Sequence, residues 1–343
     1  MITTNLLKPF CRLAKQSFAG VLLIPVAAFA IQPAVIKLPA GVKTAEIQRA
    51  LNSLPTNGGE VVLPPGKIEL REPIVLGRDG QILRGAGDAT ILFVADDANC
   101  PAIIMGEPVN RPRQIRNLRV SNVFIDGNRA HQQRECWKLH GEEGCEIRNN
   151  GITVQNVTDS TIENVTTARC RSGGLVTTAN TRRLTVRGLN SFDNEFDGLA
   201  CYLTTGSVFT NLYLHDNPGA GISLDLAFDD NVIAHAVLAA NDLGIFMRDS
   251  RNNQFNDIAI RDSRHFGVFM AQALKPAASG WQAAPETECT NNSFTDLIAE
   301  KCGGAAFRIN DATCTNNFVS GAKFSGDIHA QLSMALPGLL MVK

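Results

Sequence analysis

The strongest pattern along the chain is a glycine followed by a short strand in which apolar residues alternate with others. It recurs as Gly174-Leu-Val-Thr-Thr, Gly198-Leu-Ala-Cys-Tyr-Leu, Gly221-Ile-Ser-Leu-Asp-Leu, Gly244-Ile-Phe-Met-Arg and Gly267-Val-Phe-Met-Ala. These glycines lie 24, 23, 23 and 23 residues apart, and the next match, Gly304-Ala-Ala-Phe-Arg-Ile, comes 37 residues on. A loop insertion over 273–286, rich in Pro, Ala and Gly, accounts for the longer step. Each unit has a second apolar strand before its Gly, such as Leu212-Tyr-Leu-His or Ile258-Ala-Ile-Arg. A third follows an Asn, as in Asn231-Val-Ile, Asn253-Gln-Phe, Asn292-Ser-Phe and Asn317-Phe. Three strands in so short a unit cannot bury an apolar face alone, but stacked units share a continuous core. The pattern predicts an all-β fold, a single-stranded right-handed parallel β-helix with three-strand coils of about 23 residues. Asn recurring at one register predicts a turn with stacked side chains. A leucine-rich solenoid would need a Leu-spaced consensus that is missing here.

The flanks add to this. Residues 44–54 have helical apolar spacing with Thr44 as a candidate N-cap, and read as a capping helix over one end of the core. The apolar stretch 332–342 reads as the other cap. Residues 1–30 combine Lys8, Arg12 and Lys15, an apolar run, and Ala28-Phe29-Ala30, the pattern of a cleaved secretory signal. That leaves 31–343 as one β-helix domain, exported to the periplasm or beyond. Gly85-Ala-Gly87 looks like part of a dinucleotide fingerprint but lacks the third Gly and a following helix, so it reads as a turn.

Composition narrows the chemistry. The chain has 32 basic and 33 acidic residues, so no global field draws it to nucleic acid or anionic membrane. Three of those basic residues and one of the nine cysteines fall in the signal, leaving 29 basic, 33 acidic and eight cysteines. An even number of cysteines in an exported chain favours disulfides, and no C-x-x-C pair suggests zinc.

Alternation sends the second and fourth residues after each Gly outward. The fourth-residue column reads Thr178, Tyr202, Asp225, Arg248, Ala271, Arg308, and the second-residue column reads Val176, Ala200, Ser223, Phe246, Phe269, Ala306. A phenol, a carboxylate and a guanidinium on adjacent coils, beside two outward Phe, suit a sugar polymer. Aromatic faces stack on pyranose rings, Arg pairs with a uronate carboxylate, and Tyr or Asp moves protons. The plainer reading of the same column is a surface ion-pair ladder. Tyr202, Asp225 and Arg248 are the catalytic candidates; Phe246, Phe269, Arg308, His215, Arg264, His265 and Trp137 are candidates for substrate binding. His235 falls at an inward register. Asp193, Glu195 and Asp197 crowd one turn, as a calcium site or as a solvated acidic turn; no other cofactor is implied. The irregular stretch 126–150, with Trp137 and two His, reads as a loop insertion closed by a Cys136–Cys145 disulfide. The repeated Cys-Thr-Asn-Asn at Cys289 and Cys314 predicts a second disulfide between adjacent coils.

Two resemblances extend the picture. The helix followed by Gly58-Gly-Glu-Val-Val-Leu-Pro-Pro-Gly resembles the opening of the pectate-lyase-like β-helix superfamily. Residues 118–225, with Ile125-Asp-Gly and Asn194-Glu-Phe-Asp-Gly-Leu, are similar in repeat pattern to the mannuronan C5-epimerases. In that family an Asp-Pro-His triplet supplies catalytic groups; the matching positions here are Val176, Thr177 and Thr178, so the triplet is absent. The expectation is an exported protein acting on an acidic, uronate-containing polysaccharide as a lyase or epimerase, with no nucleic-acid partner and no membrane association after signal cleavage. Arg248 would neutralise the uronate and Tyr202 would remove or return the C5 proton. A β-helix glycoside hydrolase and a non-catalytic polysaccharide-binding or surface protein are the alternatives.

Overall fold

The computed structural model describes residues 34–109, 111–139, 145–271, 288–325, 331–335 and 337–342, the side chains of 138, 139, 145 and 146 excepted. The expected signal at 1–30 and the expected loop at 273–286 lie outside the described residues. The chain coils into a parallel β-helix, one wall of which is a ten-stranded parallel sheet. In chain order its strands are β1 (Ile74–Leu76), β2 (Ile103–Met105), β3 (Ile152–Gln155), β4 (Leu175–Thr178), β5 (Leu199–Tyr202), β6 (Ala220–Asp225), β7 (Leu243–Met247), β8 (Val268–Met270), β9 (Phe307–Ile309) and β10 (Leu332–Met334). The register follows the repeat, Leu199 against Ile222, Ile222 against Ile245, Ile245 against Val268. These residues and the column of Cys201, Leu224, Met247 and Met270 are fully buried. Each large apolar side chain sealed in this way contributes about 1.5–3 kcal/mol.

The other two walls belong to one 18-stranded sheet. They meet at a bend where a single residue per coil takes left-handed backbone: Asn122, Asn164, Asn211, His235, Asp257 and Asp296, with Gly188 in register. Asn, Asp and Gly tolerate that conformation best. His235 occupies the bend and is exposed, with Nδ1 2.9 Å from Asp257, not inward as alternation implied. The left-handed residue breaks the period of two.

At the turn before this bend the expected Asn ladder is present. Asn231 donates Nδ2–H to Asn253 at 3.2 Å, Asn253 to Asn292 at 2.9 Å, and Asn292 to Asn317 at 3.1 Å, all buried. A second ladder joins Asn194, Asn217 and Asn241. Buried amides stacked in this way satisfy one another and the turn backbone.

The helix α1 spans Thr44–Ser53 and buries Ile47, Ala50 and Leu51 over the first coil. Its N-cap is Lys43, whose N–H donates to Glu46 at 2.8 Å, while the Thr44 hydroxyl reaches the Glu69 carbonyl instead. The stretch 332–342 is not a cap: β10 and a strand at Leu340–Val342 pair with the preceding coil and form one more turn of the solenoid. Around Gly85 and Gly87 the strand register is broken, as for a turn set into a strand. Cys289 and Cys314 do face one another from adjacent coils, but as buried free thiols sharing a hydrogen bond, not as the expected disulfide. Hydrogen-bonded sulfurs stay farther apart than the roughly 2.05 Å of an S–S bond. Cys136 is disulfide-bonded; the side chain of Cys145, its expected partner, is outside the described residues.

Candidate functional site

The outward face of the ten-stranded sheet carries two columns. In the first, Val176, Ala200, Ser223, Phe246, Phe269 and Arg308 lie in register. In the second, Thr178, Tyr202 and Asp225 are followed by Arg248, whose N–H donates to the Leu224 carbonyl at 2.8 Å. Arg308 corrects the sequence expectation by two residues. Ala306 takes the place of the coil glycine, since its carbonyl accepts the Val268 N–H, and Arg308 therefore stacks beside Phe269 and not in line with Arg248.

Tyr202, Asp225 and Arg248 are brought together as predicted. Arg248 Nη2 donates to Asp225 Oδ2, and Asp225 Oδ1 accepts the Leu226 N–H at 2.8 Å. Asp225 is only 5% exposed. Burial raises its carboxyl above the usual range, with Arg248 pulling the other way. Arg248 lies 5.1 Å from the Phe246 ring centre, and its Nε is buried without a hydrogen-bond partner. Phe246 stacks on Phe269 at 5.7 Å and 19°, and Phe266 on Phe269 at 5.5 Å and 19°. Arg308 closes this strip, bonded to Ser333 and, at 3.1 Å, to Asn310.

The phenol of Tyr202 is pushed well above its ordinary value, first by burial, then by Asp197 and Asp225, against Arg148 and Arg248. Burial also pushes Asp197 up to about 6. The sequence reading takes Asp197 only as part of an acidic turn and does not single out Arg148; a register count one place before each Gly is the signal that places Asp197 beside the groove. The acidic turn disperses: Asp193 binds Arg129 at 2.8 Å, Glu195 lies 3.9 Å from Arg171, and Asp197 accepts the Ala220 N–H at 2.7 Å.

Four other candidates lie elsewhere. His215 belongs to the 18-stranded sheet, stacks on Phe192 at 4.8 Å and Tyr213 at 4.2 Å, and holds Asp216 at 2.6 Å. Trp137 is half-buried against the hydrophobic core. His265 is exposed beside Arg264 in the turn before Gly267, 2.8 Å from Asp242.

A family model described as periplasmic copper-binding protein (NosD) matches residues 101–273. That stretch holds every strand from β2 to β8, and with them Tyr202, Asp225 and Arg248. The chain belongs to the NosD family. No curated protein matches its sequence. Among solved structures, Geobacillus virus E2 ORF18 superposes with a TM-score of 0.70 at 13% identity, over 90% of this chain and 61% of that one. The NosD chain thus spans about three-fifths of the viral protein. An Azotobacter vinelandii mannuronan C-5 epimerase A-module gives 0.59 at 16% identity, over 88% and 93% of the two chains. The Erwinia carotovora polygalacturonase gives 0.63 at 12%, over 90% and 96%. These likenesses establish the fold.

Copper favours thiolate and imidazole donors. Among the described residues no group of three or more His, Cys, Asp or Glu is placed to hold a metal ion. His215, His235 and His265 each direct Nδ1 at an aspartate, and they stand on separate coils. The described groove of this NosD chain therefore does not fit the metal in the family's description. Among the described residues no helix is long and apolar enough to cross a membrane.

Proposed function

We propose that the protein is exported and acts on an acidic, uronate-containing polysaccharide, by lyase or epimerase chemistry at the groove of Tyr202, Asp225 and Arg248. The observation that carries this reading is the unpartnered, buried Nε of Arg248 beside an aromatic strip. A guanidinium with a free N–H and a neighbouring stack of rings suits a sugar that bears a carboxylate. Asp225 holds Arg248 in place, and Arg248 takes the negative charge that gathers on the uronate as its C5 proton leaves. Tyr202 acts as a proton donor. Its raised pKa keeps the phenol neutral throughout the physiological range, which suits returning a proton and not removing one.

The periplasmic description of the family and the signal pattern at 1–30 support export. Structural neighbours whose names specify mannuronan, polygalacturonate and xylogalacturonan chemistry support a carbohydrate substrate. Hydrolysis is the second reading, favoured by one observation: Asp197 and Asp225 are two carboxyls raised by burial around one phenol, and glycosidases use a carboxyl pair.

The test incubates the protein with uronate polymers and neutral glycans while following unsaturated product, reducing ends and C5 configuration. Unsaturated product or C5 inversion, lowered about 100-fold or more by Tyr202→Phe, is the expected result. Reducing ends alone select hydrolysis. Binding without any turnover leaves a polysaccharide-binding protein.

A further inference from the structure

Asp197 stands one residue before Gly198, where simple alternation does not say which way a side chain points. Its counterparts on other coils do. Asn150 donates Nδ2–H to Thr153 Oγ1 at 2.9 Å. A Cβ placed on Gly173 would come 2.8 Å from Val176 Cγ2. Phe266 stacks on Phe269. Thr153, Val176 and Phe269 all belong to the first outward column of the groove. The residue before each coil glycine therefore leans over the third residue that follows it.

In the coil of Asp197 that third residue is Ala200, the smallest side chain in the column. Ala200 faces outward yet is 2% exposed, so neighbouring side chains cover it. Asp197 Oδ1 is fixed by the Ala220 N–H at 2.7 Å, through space that Gly219 leaves open: a Cβ there would meet Oδ1 at 2.5 Å. Oδ2 takes no hydrogen bond among the described residues. Of the charged neighbours of Tyr202, Asp197 acts on its phenol most strongly.

We propose that Asp197 is the base of this groove and takes the C5 proton of a bound uronate whose carboxylate Arg248 holds. The proposal rests on the uronate reading above. The C5–H bond breaks and its proton goes to Asp197 Oδ2. In cleavage the electron pair forms the C4=C5 double bond as the C4–O4 bond breaks, and Tyr202 gives its phenol proton to O4. In inversion Tyr202 gives that proton to C5 from the opposite face. Either way the proton on Asp197 returns to the phenolate through water, so the cycle consumes no co-reactant.

The experiment compares wild type, Asp197→Asn and Asp197→Glu on polymannuronate, polyguluronate and polygalacturonate. Turnover is read as unsaturated product and C5 configuration, and polymer affinity by calorimetry. Asp197→Asn is expected to lose about 10²–10⁴-fold in kcat. Its affinity should hold and its melting temperature should not fall, because an amide oxygen still accepts the Ala220 N–H. Wild-type kcat/KM should rise with pH through about 6 as the base sheds its proton, and Asp197→Glu should move that limb. Asp197→Asn within twofold of wild type, with the limb in place, overturns the assignment and leaves the uronate reading standing. So does a loss of turnover matched by an equal loss of affinity. A wild type inactive on all three polymers overturns the uronate reading and this assignment together.

Discussion

Two outward faces of the same coils use charge in opposite ways. On the 18-stranded sheet, Glu163 sits between Arg119 and Arg187, with both guanidinium side chains about half exposed. On the ten-stranded sheet, Asp225 and Arg248 form a pair whose side chains are 7% and 29% exposed. Exposed pairs contribute little, because water already solvates both partners. A sequestered pair costs desolvation that its mutual attraction only partly repays, and the raised Asp225 carboxyl is the sign of that cost. The solenoid supplies the same stacking geometry to both faces. On the ten-stranded sheet the sequestered pair stands beside a strip of stacked aromatic rings.

The difference can be broken at several points. The largest effect is expected from Arg248→Ala, which strands Asp225 and should cost about 3–5 kcal/mol in denaturant unfolding at neutral pH. A cost below about 1 kcal/mol would make this pair no different from the exposed ones. Replacing both partners, Asp225→Leu with Arg248→Met, should leave stability unchanged or raise it by about 1–4 kcal/mol while abolishing turnover, which separates function from folding. Asp197 gives a pH test. Its carboxyl lies at about 6 in the folded protein against an ordinary 3.8, so the folded state holds the proton more tightly. Stability should therefore fall as pH rises from about 4 to 6, and Asp197→Asn should flatten that slope. The smallest effect belongs to Arg187→Ala, expected below about 1 kcal/mol and smaller still in high salt.

Much of this was legible without coordinates, because a solenoid turns sequence period directly into spatial neighbours. The spacing of Gly198, Gly221 and Gly244 placed Tyr202, Asp225 and Arg248 in one column, and Phe246 beside Phe269. It failed wherever a coil departs from its own rule. Arg308 was misplaced because Ala306 replaces the glycine and shifts the strand by two. His235 was misread because its left-handed bend turns it to solvent. Asp197 was read as part of an acidic turn because it precedes the alternating strand, and only the contacts of Asn150 and Phe266 reveal where its column points. The Cys289–Cys314 approach was foreseen, but proximity did not decide the bond.

The Asn ladders add directional bonds to the coupling between adjacent turns. Asn253 donates back to the Phe228 carbonyl at 2.8 Å and forward to Asn292, and Asn292 donates back to Ser250 and forward to Asn317. Each amide thus bonds to the coil before it and the coil after it, which strengthens the nearest-neighbour coupling of the repeat. Opening one coil exposes polar groups in the coils on either side, so the length over which the solenoid must unzip at once grows. A chain that frays in large blocks offers proteases few short-lived openings.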